Sequence, residues 1–556
     1  MNVNGGGAGE ERVFPIRGTE SGLDPKPVSN LLTPLLTDMY QITMCYGYWK
    51  ANRHETRAVF DMFFRKSPFQ GEYCIFAGLR QCLAFLKNWK MTEEHIRYLR
   101  KQMPLADEKF FDYLRSLDAS CVELYAHDEG SVVFPREPLL RVEGPIAMCQ
   151  LLETTLLCIV NYASLVATNA SRMRTAVGPD KVLLEMGLRR AQGLDGALSA
   201  SYFSHIGGFN ATSNVLAGMM FGIKVSGTHA HAFVQSFTSL SDLGTDQIEV
   251  CGLEEKVNFV ELVLKYRRKL GNERTNEGEL AAFIAYCQAF PNAFLALVDT
   301  YDTLYSGLPN FLSCALAMIE LGYKPLGIRL DSGCLSTLSI AVREVYKQVE
   351  EKFALPGLSK QFLIVASNDL DEDRLYALQE QGHSVDVFGI GTHLVTCSTQ
   401  PALGGVYKLV EAGDKARIKL SQELVKVTVP GKKRIFRLFG QQGLALADVM
   451  QCEDEPPPEP HTRVLCRHIL EPGKRAVCVP THVEEVLRLW WNMGRVECRV
   501  PTVDEVRAYS MKELERHKPS LRIRKNPIPY KVSLSEKLFK EMHELWMAEA
   551  PIAELM

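Results

Sequence analysis

Leu326-Gly327-Ile328-Arg329-Leu330-Asp331, Leu363-Ile364-Val365-Ala366-Ser367-Asn368 and Val385-Asp386-Val387-Phe388-Gly389-Ile390-Gly391 follow one another along a single stretch of the chain. Each is a short apolar run that closes on a polar residue or a glycine. Runs of this length bounded by turn-forming residues read as buried strands, and helix-length segments separate them. Upstream, Leu183-Leu184-Glu185-Met186-Gly187, Lys224-Val225-Ser226-Gly227-Thr228 and Leu295-Ala296-Leu297-Val298-Asp299 repeat the pattern. The later runs begin about 20 to 40 residues apart, the length of a strand-plus-helix unit. Alternating buried strands and helices predict an α/β fold, either an α/β barrel or a doubly wound sheet. In a barrel the loops at the carboxyl ends of the strands carry the chemistry, and the polar residues of these runs sit at those ends.

Working outward, residues 31–165 mix helices and strands. Residues 35–49 read as a helix with Thr37 or Asp38 placed to cap it. Val132-Val133-Phe134 is one of several short β-branched runs beside Pro or Gly. Residues 166–430 hold the strand series, with a charged insert at 239–278 expected to be a long loop carrying a helix. The acidic, proline-rich 453–462 reads as a linker or exposed loop. Beyond it, 464–479 is strand-like, while 483–494 and 535–550 read as helices. The segment 431–556 is expected to return to the N-terminal domain. Residues 1–30, rich in Gly, Glu and Pro, read as a flexible leader that is no signal peptide.

Bulk properties exclude some classes of function. At 556 residues, two or three domains are expected. The 63 basic and 66 acidic residues leave a formal charge of −3, without the basic excess that a nucleic-acid or anionic-membrane partner calls for. The most apolar window, 151–170, is interrupted by Glu153, Asn161 and Asn169, so a buried helix is expected in place of a membrane span. Fifteen scattered cysteines with no Cys-x-x-Cys pair point to reduced thiols and a cytosolic location.

The chemistry-bearing residues begin with His229-Ala230-His231. On a strand, alternate residues face one side and both imidazoles would enter one site; if the strand ends at Thr228 they diverge. Such a pair can bind zinc, can be two satisfied histidines, or can be catalytic, and zinc would need further ligands. Arg189-Arg190, directly after a buried run, suit an oxyanion, because guanidinium matches phosphate in bidentate fashion; the competing reading is a salt bridge to Glu185. Gly207-Gly208, Gly389-Ile390-Gly391-Thr392 and Gly404-Gly405 are candidate phosphate cradles or simple tight turns. Asp299, Asp302, Asp331 and Asp369 at strand ends suit magnesium, ribose hydroxyls or helix capping.

Thr37-Asp38-Met39-Tyr40-Gln41, Gly187-Leu188-Arg189-Arg190-Ala191-Gln192-Gly193, Gly207-Gly208-Phe209, Ser226-Gly227-Thr228-His229-Ala230-His231, Arg329-Leu330-Asp331-Ser332-Gly333 and Gly389-Ile390-Gly391-Thr392 occur in this order. Together they resemble the nicotinate phosphoribosyltransferase family, as does Pro527-Ile528-Pro529-Tyr530-Lys531-Val532 near the C-terminus. The resemblance implies that nicotinate and phosphoribosyl pyrophosphate give nicotinate mononucleotide and pyrophosphate, in NAD salvage, with ATP as co-substrate and magnesium or manganese as cofactor. It implies an irregular α/β barrel plus an α/β sandwich domain formed from the N- and C-terminal segments. It also implies a homodimer whose subunits share the active site. Carried over by position, His231 matches the histidine that ATP phosphorylates, and Tyr40 the aromatic that stacks on the pyridine ring across the dimer interface. Arg329 and Thr228 match nicotinate-binding positions, with Asp38 also on the substrate side. Gly389, Gly391 and Thr392 match the 5-phosphate cradle, and Arg189 a phosphate-binding arginine. Asp299 and Asp331 match carboxylates near ribose, pyrophosphate and the metal.

The chain also departs from the pattern. Met186 stands where many relatives place phenylalanine, so the ring slot is expected in altered form. Cys334 replaces a polar residue, and His229 is not a usual histidine. Ala211-Thr212-Ser213-Asn214 carries no carboxylate where nicotinamide-using relatives read the amide, which favours nicotinate. A metal-dependent barrel hydrolase using both histidines and a non-catalytic binding paralog are the rival readings.

Overall fold

Six strands run parallel in the order Leu295–Leu297, Gly327–Leu330, Leu363–Ala366, Val387–Ile390, Val182–Glu185 and Ala211–Thr212 in the computed structural model. The structure describes residues 31–421 and 423–550, so the expected leader at 1–30 lies outside the described residues. Helices Leu308–Glu320, Leu335–Lys352, Glu372–Gln381 and Gly193–Ile206 make the crossovers between neighbouring strands. Their apolar spacing explains why they cover the sheet: Leu335–Lys352 buries Leu335, Ser339, Val342, Tyr346 and Val349 along one face. Close approach of two strands demands glycine at 327, where a Cβ would lie 2.1 Å from the Leu363 carbonyl oxygen.

The result is a mixed α/β fold whose parallel sheet forms a half-barrel. One expectation about the strand series fails, and the insert at 239–278 holds its expected helix. Residues 224–228 form no strand; Val225 alone bridges Thr212, and the chain then leaves the sheet at Ser226-Gly227. The long insert also carries a hairpin, Gln247–Glu249 with Lys256–Asn258, ahead of its helix Phe259–Leu270.

A second, antiparallel sheet is ordered Val406–Ala412, Arg57–Phe63, Leu140–Pro145, Glu123–Ala126, Arg488–Asn492 and Arg495–Val496. The chain therefore rejoins its N-terminal region at Val406, inside the 166–430 segment that the sequence reading kept together. A third sheet contains Arg475–Cys478, Val464–His468, Val532–Leu534, Ala445–Cys452, Lys433–Phe439 and His482–Glu485. Helix Glu536–Glu549, expected at 535–550 and capped by Ser535, packs on this sheet through Leu538, Phe539 and Met542.

The helix expected at 483–494 is instead two strands, His482–Glu485 and Arg488–Asn492. Trp490 and Trp491 are both buried, which a strand covered on both faces allows and a one-sided helix does not. The proline-rich 453–462 joins two strands of one sheet and is held by Glu453, whose carboxylate pairs with Lys432 at 3.3 Å and Arg141 at 3.6 Å. Residues 151–170 fall in helices Ile146–Leu151 and Glu153–Val177, largely buried. Among the described residues no helix is long and apolar enough to cross a membrane.

A buried guanidinium ties the third sheet to the rest. Arg437 donates to Asp448 Oδ2 and to the Val132 carbonyl, both at 2.8 Å, and lies 3.3 Å from Glu513 of helix Val503–Glu515.

Candidate active site

Three successive strands of the half-barrel hand polar groups to the same rim. Asp299 stands two residues beyond Leu295–Leu297, Asp331 one beyond Gly327–Leu330, and Ser367 one beyond Leu363–Ala366. These side chains form one network. Asp299 Oδ2 accepts the amide of Asp331 at 3.0 Å and the hydroxyl of Ser332 at 2.5 Å. Asp331 Oδ1 accepts from Ser367 Oγ at 2.7 Å and from Arg329 Nη2 at 3.2 Å, while Arg329 Nε donates to Ser367 Oγ at 2.7 Å.

His231 opens the short helix His231–Gln235. Its Nδ1 meets Thr300 Oγ1 at 3.0 Å, and its Nε2 faces Asp299 Oδ1 at 4.0 Å and Asp331 Oδ2 at 3.9 Å. The Asp299 side chain is only 3% exposed, yet its Oδ1 has no hydrogen-bond partner among the described residues. A buried carboxylate oxygen left open beside a second carboxylate calls for a cation. Two carboxylates without a third ligand suit magnesium, which takes its remaining ligands from substrate phosphates and water.

The two histidines of the His-x-His pair diverge. The chain turns at extended Ala230, so His231 faces the rim while His229 is buried and its Nε2 accepts the Leu297 amide at 3.2 Å. Burial pushes the His229 imidazole down to about 4, so it stays neutral. This removes the two-histidine zinc pair. Among the described residues no three His, Cys, Asp or Glu side chains gather to hold a metal by themselves.

Arg189 and Arg190 lie in the exposed turn Leu188–Arg190, and neither has an ion-pair partner among the described residues. The alternative bridge to Glu185 does not form. That carboxylate is buried and satisfied by Ser201 Oγ at 2.9 Å, Thr212 Oγ1 at 2.5 Å and the Gly187 amide. Two unpaired guanidiniums at the end of a central strand are free for an anion.

Gly389 ends beneath Met186: a Cβ at 389 would sit 2.6 Å from the Met186 sulfur. Gly391 precedes the short helix Thr392–Thr396, and its own Cβ would lie 3.1 Å from the Met186 carbonyl oxygen. Met186, Gly389, Gly391 and Thr392 thus share one corner of the rim. Thr228 is half-buried, two residues past Ser226, where the chain last bonds Thr212.

Tyr40 and Asp38 stand apart from this cluster within one chain. The Tyr40 hydroxyl donates to Glu153 at 3.4 Å, and Asp38 accepts from Thr154 at 3.0 Å in place of capping helix Met39–Lys50 with its side chain. The Tyr40 ring is half exposed.

Sequence reasoning missed Thr300, Ser332 and Ser367 as members of the network. Their signal was position: each directly follows an acidic residue or a strand at the chemical end of the barrel. It also missed Glu279, on helix Glu277–Ala289. Glu279 Oε2 accepts from Ser306 at 2.6 Å and Asn310 at 3.0 Å; burial, with Asp299 and Asp302 nearby, raises its carboxyl to about 7.

A parallel half-barrel whose rim offers paired carboxylates, an imidazole, unpaired guanidiniums and a glycine-lined corner defines the phosphoribosyltransferase class of enzyme. The comparisons with known proteins agree. Residues 35–161 match the nicotinate phosphoribosyltransferase N-terminal domain, residues 182–427 the nicotinate phosphoribosyltransferase family, and residues 432–542 the nicotinate phosphoribosyltransferase C-terminal domain. The chain belongs to the nicotinate phosphoribosyltransferase family. It is 51% identical to nicotinate phosphoribosyltransferase 1 of Arabidopsis thaliana, over 96% of this chain and 99% of that one. Identity to nicotinate phosphoribosyltransferase 2 of the same plant is 52%, over 95% and 97%. The crystal structure of human nicotinic acid phosphoribosyltransferase superposes with a TM-score of 0.83 at 42% identity, over 92% of this chain and 99% of that one.

Proposed function

We propose that this chain joins nicotinate to phosphoribosyl pyrophosphate, releasing pyrophosphate and forming nicotinate mononucleotide, and couples the reaction to ATP hydrolysis through a phosphorylated His231. The observation that carries the reading is the rim itself. His231 faces Asp299 and Asp331, and one buried Asp299 oxygen is left open.

In the transfer step the pyridine nitrogen forms a bond to the ribose carbon as the bond to pyrophosphate breaks, and the electron pair leaves on the pyrophosphate oxygen. Arg189 supplies fixed positive charge where the leaving group gains negative charge, and the Gly389-Ile390-Gly391-Thr392 corner seats the 5-phosphate. Preorganised charge of this kind is most of what such a transfer asks of a protein. Magnesium, held by Asp299 and Asp331, would neutralise phosphate charge. Arg329, already oriented by Ser367 and Asp331, and Thr228 provide the cationic and polar side of the nicotinate pocket. In the coupling step an imidazole nitrogen of His231 forms a bond to the terminal phosphorus of ATP as the oxygen–phosphorus bond breaks and its electron pair leaves on ADP. Water later cleaves the nitrogen–phosphorus bond, releasing phosphate and restoring the imidazole. Thr300 orients the ring for that step.

We further read the second and third sheets as the sandwich part of the family fold, with the rim completed in a homodimer by Tyr40 and Asp38 of the other subunit. Domain limits of 31–165, 166–430 and 431–556 follow this reading, with the Val406–Ala412 strand crossing back early. Support for the dimer is an apolar surface near the rim that includes exposed Leu188, Leu194, Val215 and Met219. Val215→Asp with Met219→Asp is expected to give a monomer with activity lost, checked by sedimentation and turnover together. A cytosolic setting fits the fifteen cysteines, all free thiols.

The deciding experiment is purified chain with nicotinate, phosphoribosyl pyrophosphate and magnesium, with and without ATP. Mononucleotide formation, stimulated by ATP, is expected; no product under either condition sinks the reading. Nicotinamide and quinolinate run alongside test the substrate assignment.

A further inference from the structure

The open edge of the half-barrel is finished by a side chain in place of a strand. Leu295–Leu297 pairs on one side with Gly327–Leu330, and no strand pairs with its other side among the described residues. Amides alternate in direction along a strand. The Val298 amide donates to the Arg329 carbonyl at 3.2 Å, so the Leu297 amide points the other way, into the seam. Leu297 is buried, and a buried amide without an acceptor is strongly disfavoured. His229 Nε2 accepts it at 3.2 Å.

The imidazole that does this is built in. It packs edge-on to the Tyr286 ring at 4.9 Å between centroids and lies against Phe233 and Phe283. Its burial keeps it neutral, so the Nε2 lone pair is available. Serine, threonine or asparagine at 229 would be too short to span the same gap. The charged or metal-bound forms of histidine would have no lone pair to offer.

The consequence for the reacting groups follows from counting along the two chains. His231 lies two residues beyond His229, and Asp299 two residues beyond Leu297. The inner bond, His229 to Leu297, and the outer one, His231 to Thr300 at 3.0 Å, therefore cross the same seam side by side. The inner bond is shielded by aromatic rings, whereas His231 is 40% exposed at the rim and must change partners during the reaction. We propose that His229 is a positioning residue. By closing the seam on the Leu297 amide it fixes the register in which His231 meets Asp299 and Thr300. The proposal rests on the reading of His231 as the reacting histidine.

The test uses the full chain with His229→Leu, which fills the space but cannot accept, His229→Gln, whose amide oxygen reaches the Nε2 position, and His229→Asn, which is one bond too short. Two quantities are read: hydrogen–deuterium exchange of the Leu297 amide, and kcat and KM for mononucleotide formation with ATP. In His229→Leu and His229→Asn the Leu297 amide is expected to exchange at least tenfold faster. Their kcat is expected to fall tenfold or more, with KM for phosphoribosyl pyrophosphate within threefold of wild type. His229→Gln is expected within threefold of wild type in both readouts. Unchanged exchange in His229→Asn, faster exchange with unchanged kcat, or a His229→Gln no better than His229→Asn overturns the proposal. If His229→Leu does not fold, the Gln and Asn pair decides it. Acid-labile phosphate on wild-type His231 after incubation with ATP is measured in parallel. Its absence removes the phosphoryl-carrier reading, while exchange and kcat still decide the role of His229.

Discussion

At the scale of single residues, what distinguishes His231 from His229 is where each ring nitrogen ends. One imidazole is spent on a backbone amide inside the wall; the other meets two carboxylates at the rim. Spacing in the sequence could not separate them, because the separation depends on the turn at Ala230, where a strand pattern gives way to a helix start. His231→Asn keeps a polar group of similar size and is expected to lower ATP-coupled turnover by about a hundredfold or more, read as ADP release per mononucleotide formed. Glu279 carries a second residue-scale expectation. Its folded-state carboxyl titrates at about 7 against an ordinary 4.5, so the folded protein holds a proton that the unfolded chain has lost between those values. Stability must then fall as pH rises from 4.5 to 7 and level off above. Glu279→Gln is expected to be more stable than wild type at pH 8 by about 1–3 kcal/mol, with the difference gone below pH 4.5, in denaturant melts.

Among the elements, the strand Val387–Ile390 and its neighbour Val182–Glu185 show how packing shapes the rim. Gly389 pairs with Leu184, and the Met186 sulfur just beyond occupies the space that any side chain at 389 would need. Gly389→Ala is expected to cost about 1–3 kcal/mol and to raise KM for phosphoribosyl pyrophosphate, because Met186 must move. Adding Met186→Ala should restore much of both losses, a coupling that a double-mutant cycle measures directly. The strand series itself was readable because apolar runs with polar ends repeat at one spacing, and Asp299, Asp331, Arg329 and the Gly389–Gly391 corner came with it. Residues 483–494 were not, since Val483, Leu487, Leu489 and the two tryptophans suit either element until the partner strand Glu123–Ala126 is known. Nor was the pairing of Arg57–Phe63 with Val406–Ala412, which no local pattern encodes. Ser367 and Thr300 stayed hidden for a different reason: hydroxyls are common at strand ends, and only the network singles these out.

For the whole molecule, the parts are knit by buried charge as well as by apolar packing. Arg437 joins Asp448, Glu513 and the Val132 carbonyl, which come from the third sheet, the helix Val503–Glu515 and the short strand Val132–Val133. Arg437→Met leaves Asp448 buried without its cation and is expected to cost about 3–5 kcal/mol, measured as a shift of the urea midpoint. Restoring fit with Asp448→Asn in the same protein should recover part of it. The antiparallel sheet raises a separate matter, one of timing during synthesis. Arg57–Phe63 lies between Leu140–Pro145 and Val406–Ala412, so one of its two neighbours is made about 340 residues after it. At about 5–20 residues per second, the ribosome leaves that strand edge bare for roughly 20 to 70 seconds. A nascent chain in this state is open to pairing with another copy of itself. Halting translation before Val406 should therefore yield aggregates or chaperone-bound chains, where arrest well beyond Ala412 lets Val406–Ala412 cover the Arg57–Phe63 edge.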